Sequence, residues 1–140
     1  MVCVTVSAEG LQAAGAGKLP GLLGMEVLEV TNGTCRMRMG AGGEVQAPNG
    51  YLHGGAVTAL ADTACGYGCL ASLPAGAAGF TTVELKVNFV GTARDGSIVA
   101  EARLAHGGRT TQVWDAVVTE EASGRPIAHF RCTQLVLRSG

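Results

Sequence analysis

His53-Gly54-Gly55-Ala56-Val57-Thr58-Ala59-Leu60-Ala61-Asp62-Thr63-Ala64-Cys65-Gly66-Tyr67-Gly68-Cys69-Leu70-Ala71-Ser72-Leu73-Pro74 is the stretch on which the fold of this chain turns. It reads as one helix from Gly54 to about Leu73, stopped by Pro74 and Gly76. Ala56, Ala59, Ala61, Ala64, Gly66, Gly68 and Ala71 make it narrow nearly all round, and Asp62 is its one formal charge. A helix of that make-up is enclosed by protein rather than laid on a surface. The enclosing layer must come from the flanking sequence.

Upstream, Met25-Glu26-Val27-Leu28-Glu29-Val30 meets Cys35-Arg36-Met37-Arg38-Met39 across Thr31-Asn32-Gly33-Thr34. Asn-Gly between two β-like runs is a strong hairpin signal, because a type I′ turn needs positive φ at both central residues. Cys35, Met37 and Met39 alternate with Arg36 and Arg38, so this strand has one buried and one wet face. A loop from Gly40 to Leu52 carries Gly42-Gly43, Pro48 and Asn49-Gly50. Downstream, Phe80 to Val90 alternates Thr81, Val83, Leu85, Val87 and Phe89 against Thr82, Glu84, Lys86 and Asn88. Further strands span Ser97 to His106, Arg109 to Thr119 and Pro126 to Leu137, each bounded by short Gly-containing turns that suit antiparallel neighbours. The order is a hairpin, one buried helix and about four strands. That is an α+β fold, with a single helix packed against one long antiparallel sheet.

The chain has 140 residues and a mass of 14.1 kDa, which suits one domain over 1–140. Residues 1–20 read as a weakly ordered leader, with a short helical turn at Gly21-Leu22-Leu23-Gly24 after it. Hydrophobic residues at 47% against 15% charged exclude a disordered tail. A net charge of -1 argues against a nucleic-acid binder and gives no polybasic membrane signal. The N-terminus lacks the basic region and apolar core of a secretory signal. The uncharged run from Thr63 to Val83 is broken by Pro74 and glycines, and so reads poorly as a membrane span. Five cysteines, an odd count without an export signal, favour reduced thiols in a cytoplasmic protein. Cys65 and Cys69 share a helix face but have no second ligand pair nearby, so they read as small buried hydrophobes rather than metal ligands.

Two places can carry chemistry. At His53-Gly54-Gly55 the first turn of the helix offers unpaired amides and the positive end of the dipole, open to close approach. This suits a developing oxyanion or a polarised carbonyl, or is simply a tight loop-to-helix junction. Asp62 is the only carboxylate between Glu44 and Glu84 and lies on the stripe of Gly55, Thr58, Cys65 and Cys69. A desolvated mid-helix carboxylate is a base or nucleophile, or it caps amides of a neighbouring loop. His106 and His129 read as structural or surface residues, and no Gly-x-Ser-x-Gly elbow, P-loop or dinucleotide fingerprint is present.

His53-Gly54-Gly55, then Leu60-Ala61-Asp62-Thr63-Ala64, then Gly108-Arg109-Thr110-Thr111-Gln112-Val113-Trp114-Asp115, together resemble the hotdog-fold acyl-CoA thioesterases. The resemblance runs from about Gly21 to Leu137 and is nearest to the phenylacetate-pathway (PaaI-like) group and its relatives acting on hydroxybenzoyl- or dihydroxynaphthoyl-CoA. It implies a long antiparallel sheet wrapped around a central helix, hydrolysis of aryl- or arylacetyl-CoA, and no metal or organic cofactor. It also implies a homodimer or a tetramer of two dimers, with sites between subunits. By the same resemblance Asp62 attacks the thioester or activates water, the Gly54 amide polarises the carbonyl, and His53 fixes the loop and lines the site. Asn49, Gly55, Thr82, Phe89, Val90, Gly91, His106, Gly108, Arg109, Thr110 and Thr111 would contact the acyl-CoA.

Three departures stand out. Ala47 occupies the place where relatives often carry Gln or Asn, leaving Gln46 or Asn49 to substitute. Gly66 replaces a Ser or Thr one turn after the carboxylate, and Val90-Gly91 stands where many have a phosphate-binding Arg. The resemblance therefore leaves room for a hotdog protein that binds an acyl-CoA or acyl carrier without turnover. A hotdog dehydratase is disfavoured, since His53 lies too near the helix start to pair with an acid for proton transfer to carbon.

Overall fold

The structure is a computed structural model and describes residues 4–139, so Cys3 and the very start of the leader lie outside it. The leader holds a helix the sequence reading did not place, α1 (Ala8–Gly15), which Ser7 caps by accepting from the Gly10 amide at 3.0 Å. A short helix α2 (Leu19–Leu22) follows, starting two residues before the turn expected at Gly21-Leu22-Leu23-Gly24 and overlapping it at Gly21 and Leu22. Then come β1 (Glu26–Thr31), β2 (Thr34–Gly40), the long helix α3 (Gly54–Ala71), β3 (Ala77–Phe89), β4 (Ser97–Gly107), β5 (Thr111–Glu120) and β6 (Pro126–Arg138). The β1–β2 hairpin turns at Asn32-Gly33, but only Gly33 takes positive φ, at 93°, so Asn32 does not adopt the left-handed conformation that a type I′ turn requires.

The six strands form one antiparallel sheet in the order β1-β2-β4-β5-β6-β3, and α3 lies across its concave face. Its small residues are explained by what they touch. A Cβ at Gly68 would stand 2.6 Å from the Trp114 ring, and one at Gly66 would stand 2.8 Å from the Phe80 ring. Trp114, Met37, Met39, Leu60 and Ile98 fill the space between helix and sheet and are fully buried. Cys35, Cys65, Cys69 and Cys132 are free and buried, in keeping with a hydrophobic role. No helix among the described residues is long and apolar enough to cross a membrane.

The two sheet edges differ. Along β1, the side chain of Gln12 from α1 takes the Val27 amide at 2.7 Å and donates to the Met25 carbonyl at 3.0 Å, covering the edge. The β3 edge is bare in one chain and carries exposed Val83, Leu85 and Phe89.

One strand corrects the sequence reading. The alternation along β3 does not run unbroken, because pairing with β6 slips between Thr82↔Gln134 and Glu84↔Thr133, leaving Val83 as a bulge. Phe80 and Thr82 therefore face the helix ahead of the bulge, and Leu85, Val87 and Phe89 face it afterwards. Thr82 does not share a face with Glu84, Lys86 and Asn88. The extra residue re-aims it at α3.

Candidate active site

The loop before α3 is held by its own backbone. Ala47 N–H donates to Tyr51 O at 2.7 Å, Gly50 N–H to Ala47 O at 2.9 Å, and His53 N–H to Val45 O at 3.0 Å. Gly50 closes that turn at φ 84°, where a side chain would be strained. His53 is the N-cap of α3, and its Nδ1 accepts from the Gly55 amide at 2.8 Å, so that nitrogen carries a lone pair. Gly54 occupies the first helical position, where the amide has no acceptor within the helix. The Phe89 ring lies over it, with Cζ 3.0 Å from where a Gly54 Cβ would sit. Thr92 Oγ1 accepts from Leu52 N–H at 3.3 Å, and the Arg94 guanidinium stacks 4.3 Å above the Tyr51 ring.

Farther along α3, Asp62 is half-buried beneath the β3–β6 pair. Burial pushes its carboxyl above the ordinary carboxylate value, and the Thr82 hydroxyl, 3.2 Å from Oδ1, works against that rise. Thr82 Oγ1 also lies 2.7 Å from Oε1 of Gln134, which is completely buried. Gln134 and the neighbouring buried Gln112 were missed by the sequence reading. Gln112 accepts from the Trp114 indole at 2.7 Å and donates to Ser72 O at 2.8 Å. The available signal was strand parity: Gln112 alternates in phase with Trp114, Ala116 and Val118, and Gln134 with Cys132, Phe130 and Ala128.

The residues named from the sequence fall into three groups along α3. Asn49, His53, Gly54, Gly55, Phe89, Val90 and Gly91 gather at its N-terminal end, where Val90 and Gly91 amides both donate to Ile127 O. Asp62 and Thr82 meet at its middle. His106, Gly108, Arg109, Thr110 and Thr111 form the β4–β5 turn toward its C-terminal end, tied by Gly108 N–H to Thr111 O at 2.9 Å and Arg138 to Arg109 O at 2.7 Å. Asp62 is eight residues beyond Gly54, a separation of about 12 Å along the axis. One chain does not bring the carboxylate and the Gly54 amide to the same carbonyl.

The loop residues expected to replace the missing Gln or Asn are both engaged. Gln46 Nε2 donates to Arg94 O at 2.8 Å and Ala41 O at 3.3 Å, while Asn49 Oδ1 accepts from Tyr51 N–H at 3.1 Å. Each is used to shape the loop. At Gly66, the Phe80 ring fills the space a Ser or Thr side chain would need. Among the described residues no group of three His, Cys, Asp or Glu side chains is placed to hold a metal ion.

The helix, the glycine-opened N-terminus and the strands after it agree with a family model, the Thioesterase superfamily, which matches residues 49–127. The chain belongs to that superfamily. As a member of the thioesterase superfamily it is a thioester hydrolase, and its sheet wrapped around α3 is the hotdog fold. It is 31% identical over 111 residues to a 1,4-dihydroxy-2-naphthoyl-CoA hydrolase of Listeria monocytogenes, covering 79% of this chain and 89% of that one. A protein of the same name from Escherichia coli is 29% identical over 135 residues, covering 94% of this chain and 96% of that one. Among solved structures, a mutant thioesterase from Pseudomonas aeruginosa superposes with a TM-score of 0.88 at 28% identity, covering 94% of both chains. A thioesterase from Haemophilus influenzae gives 0.88 at 25% identity, covering 96% of this chain and 92% of that one.

Proposed function

We propose that this thioesterase hydrolyses aryl- or arylacetyl-CoA thioesters in the cytoplasm, working as a homodimer or a pair of dimers with its sites between subunits. The observation that carries this reading is the half-buried Asp62 carboxylate on the same helix as, but about 12 Å from, the free Gly54 amide. A two-fold partner would bring Asp62 of one chain opposite Gly54 of the other. The bare β3 edge supports such pairing, since a long strand with exposed apolar side chains invites another copy. The aryl preference rests on the two relatives named 1,4-dihydroxy-2-naphthoyl-CoA hydrolase.

In the reaction, the Gly54 amide and the positive end of α3 polarise the thioester carbonyl. Asp62 either takes a proton from water as it attacks the carbonyl carbon, or attacks directly to form an anhydride that water then opens. The C–S bond breaks, CoA leaves as the thiol after gaining a proton, and the free acid remains. A positioned base contributes about 10²–10⁴-fold and a fixed oxyanion donor about 10²–10³-fold, enough for an acyl group that is already activated. His53 holds the Gly55 amide and so leaves the Gly54 amide for substrate. Phe89, Val90 and Gly91 at one end, and His106, Gly108, Arg109, Thr110 and Thr111 at the other, would reach one CoA only when two chains bring opposite ends of their helices together.

A second reading has one observation behind it. With Ala47 in place, Gln46 Nε2 tied to Arg94 O and Asn49 Oδ1 tied to the Tyr51 amide, both neighbouring carboxamides are drawn into shaping the loop rather than standing where relatives carry theirs. That favours a protein that binds an acyl-CoA or acyl carrier without useful turnover. Thiol release from phenylacetyl-, hydroxyphenylacetyl-, hydroxybenzoyl-, dihydroxynaphthoyl- and straight-chain CoA separates the two. Release from aromatic esters that disappears in Asp62→Asn upholds the first reading; saturable ester binding with no release from a folded dimer upholds the second.

A further inference from the structure

Thr82 Oγ1 stands 3.2 Å from Asp62 Oδ1 and 2.7 Å from Gln134 Oε1, yet it owns a single hydrogen. It cannot serve two oxygen acceptors at once. With the Gln134 amide oriented so that Nε2 points at Cys132 Sγ, 3.4 Å away, the row is satisfied only when Asp62 is protonated. The carboxylic acid then donates to Thr82, Thr82 to Gln134, and Gln134 to the sulfur. Turned over, the amide satisfies the ionised state: Gln134 Nε2 donates to Thr82, Thr82 donates to the Asp62 carboxylate, and Cys132 S–H donates to Gln134 Oε1. The two orientations differ in which hydrogen bonds they satisfy, and so each suits one charge state of Asp62.

We propose that Gln134 is a positioning residue for Asp62, acting through Thr82, whose buried amide turns over as Asp62 gains and loses its proton. The row offers a partner to both states that a catalytic carboxylate passes through, so neither leaves a buried polar group orphaned. Three features converge on it. The bulge at Val83 turns Thr82 toward the helix, Gln134 is fully buried, and register sets Gln134 directly opposite Thr82. The titratable groups on the elements around Asp62 are the thiols of Cys65 on α3, Cys132 on β6 and Cys35 on β2. The adjoining Cys132 thiol and burial push Cys65 up, and burial pushes Cys35 up to about 12, so these two stay neutral. Glu84 on β3 is exposed beyond the bulge, where it accepts from Thr133.

The role of Gln134 in catalysis rests on Asp62 being the catalytic carboxylate, but the proton coupling is measurable without turnover. The side-chain amide resonances of Gln134, assigned by their loss in Gln134→Met, are followed with the Asp62 carboxyl carbon across about pH 4–9. Both should move with one shared midpoint in the wild type. Asp62→Asn should flatten the Gln134 response, Thr82→Val should at least halve it while Asp62 still titrates, and Thr82→Ser should restore it. A Gln134 amide that stays flat while Asp62 titrates, or a response that survives Thr82→Val, overturns the proposal. Gln134→Glu supplies a kinetic arm: a second carboxyl facing Thr82 should move the acid limb of kcat/KM upward by about one pH unit. Where Asp62→Asn abolishes turnover, an unmoved limb in folded Gln134→Glu also overturns it. Turnover that persists in Asp62→Asn would sink the catalytic reading and leave the proton coupling standing.

Discussion

The two polar places on α3 are built from opposite materials. At the N-terminal end the group proposed to work is the Gly54 backbone amide, half-buried under the Phe89 ring and left free because His53 caps the neighbouring Gly55 amide. At the middle the group proposed to work is the Asp62 side chain, half-buried, held by Thr82 and in turn by the buried Gln134. A backbone donor tolerates changes of neighbouring side-chain chemistry and fails on size. A buried carboxylate tolerates little change of chemistry, because its charge state depends on every polar atom beside it. On the proposed mechanism the helix thus separates a place sensitive to shape from a place sensitive to protons.

The sharpest way to break this contrast is Asp62→Asn, which keeps the shape and removes the proton chemistry. Thiol release should fall by about 10²–10⁴-fold with folding intact. The same variant has a stability signature. Burial raises the carboxyl's folded-state pKa, so the ionised group opposes folding above that pKa, and the opposition fades as pH falls from the folded-state value toward the unfolded one and is gone below it. Asp62→Asn should therefore be no less stable than wild type near pH 7, and any advantage should vanish in acid. Urea midpoints at several pH values measure this; an advantage that grows in acid would mean that Asp62 is stabilised rather than desolvated in the fold.

Gly54→Ala is the matching change of shape at the other place. The new Cβ would meet the Phe89 ring at 3.0 Å, and the ring, half exposed, can swing aside toward the carbonyl site. The amide itself survives, so the loss should be smaller than removal of an oxyanion donor, about tenfold in kcat/KM. Adding Phe89→Ala should recover part of it if the ring is what obstructs. A double variant no better than Gly54→Ala would place the damage in the helix start instead.

How far the sequence reached follows the same division. The hairpin at Asn32-Gly33, the enclosed helix and the strands after it were legible because turn chemistry and apolar periodicity are local signals. His53, Gly54 and Asp62 were legible as candidates for a related reason: a glycine pair at a helix start and a lone mid-helix charge are visible without neighbours. The partners of Asp62 were not. The Val83 bulge hides in an alternation that continues smoothly on paper, and only pairing with β6 reveals which residue is extra. Gln134 sits 52 residues from Thr82, so their contact is a product of strand order rather than spacing. The α1 helix escaped because its Ala- and Gly-rich sequence shows little beyond Leu11 that needs burying.

The smallest expected effect tests whether His53 belongs to the shape-sensitive place alone. Its Nδ1 accepts the Gly55 amide, the role that a Ser, Asp or Asn fills at other helix starts. His53→Ala should cost about 1 kcal/mol of stability by leaving that amide without its cap, read as a lower urea midpoint. His53→Asn keeps a cap oxygen and should retain most of both stability and turnover. Equal stability with turnover lost in His53→Asn would show that the imidazole itself touches the reacting thioester. In that case the N-terminal place, like the middle one, would depend on side-chain chemistry as well as on form.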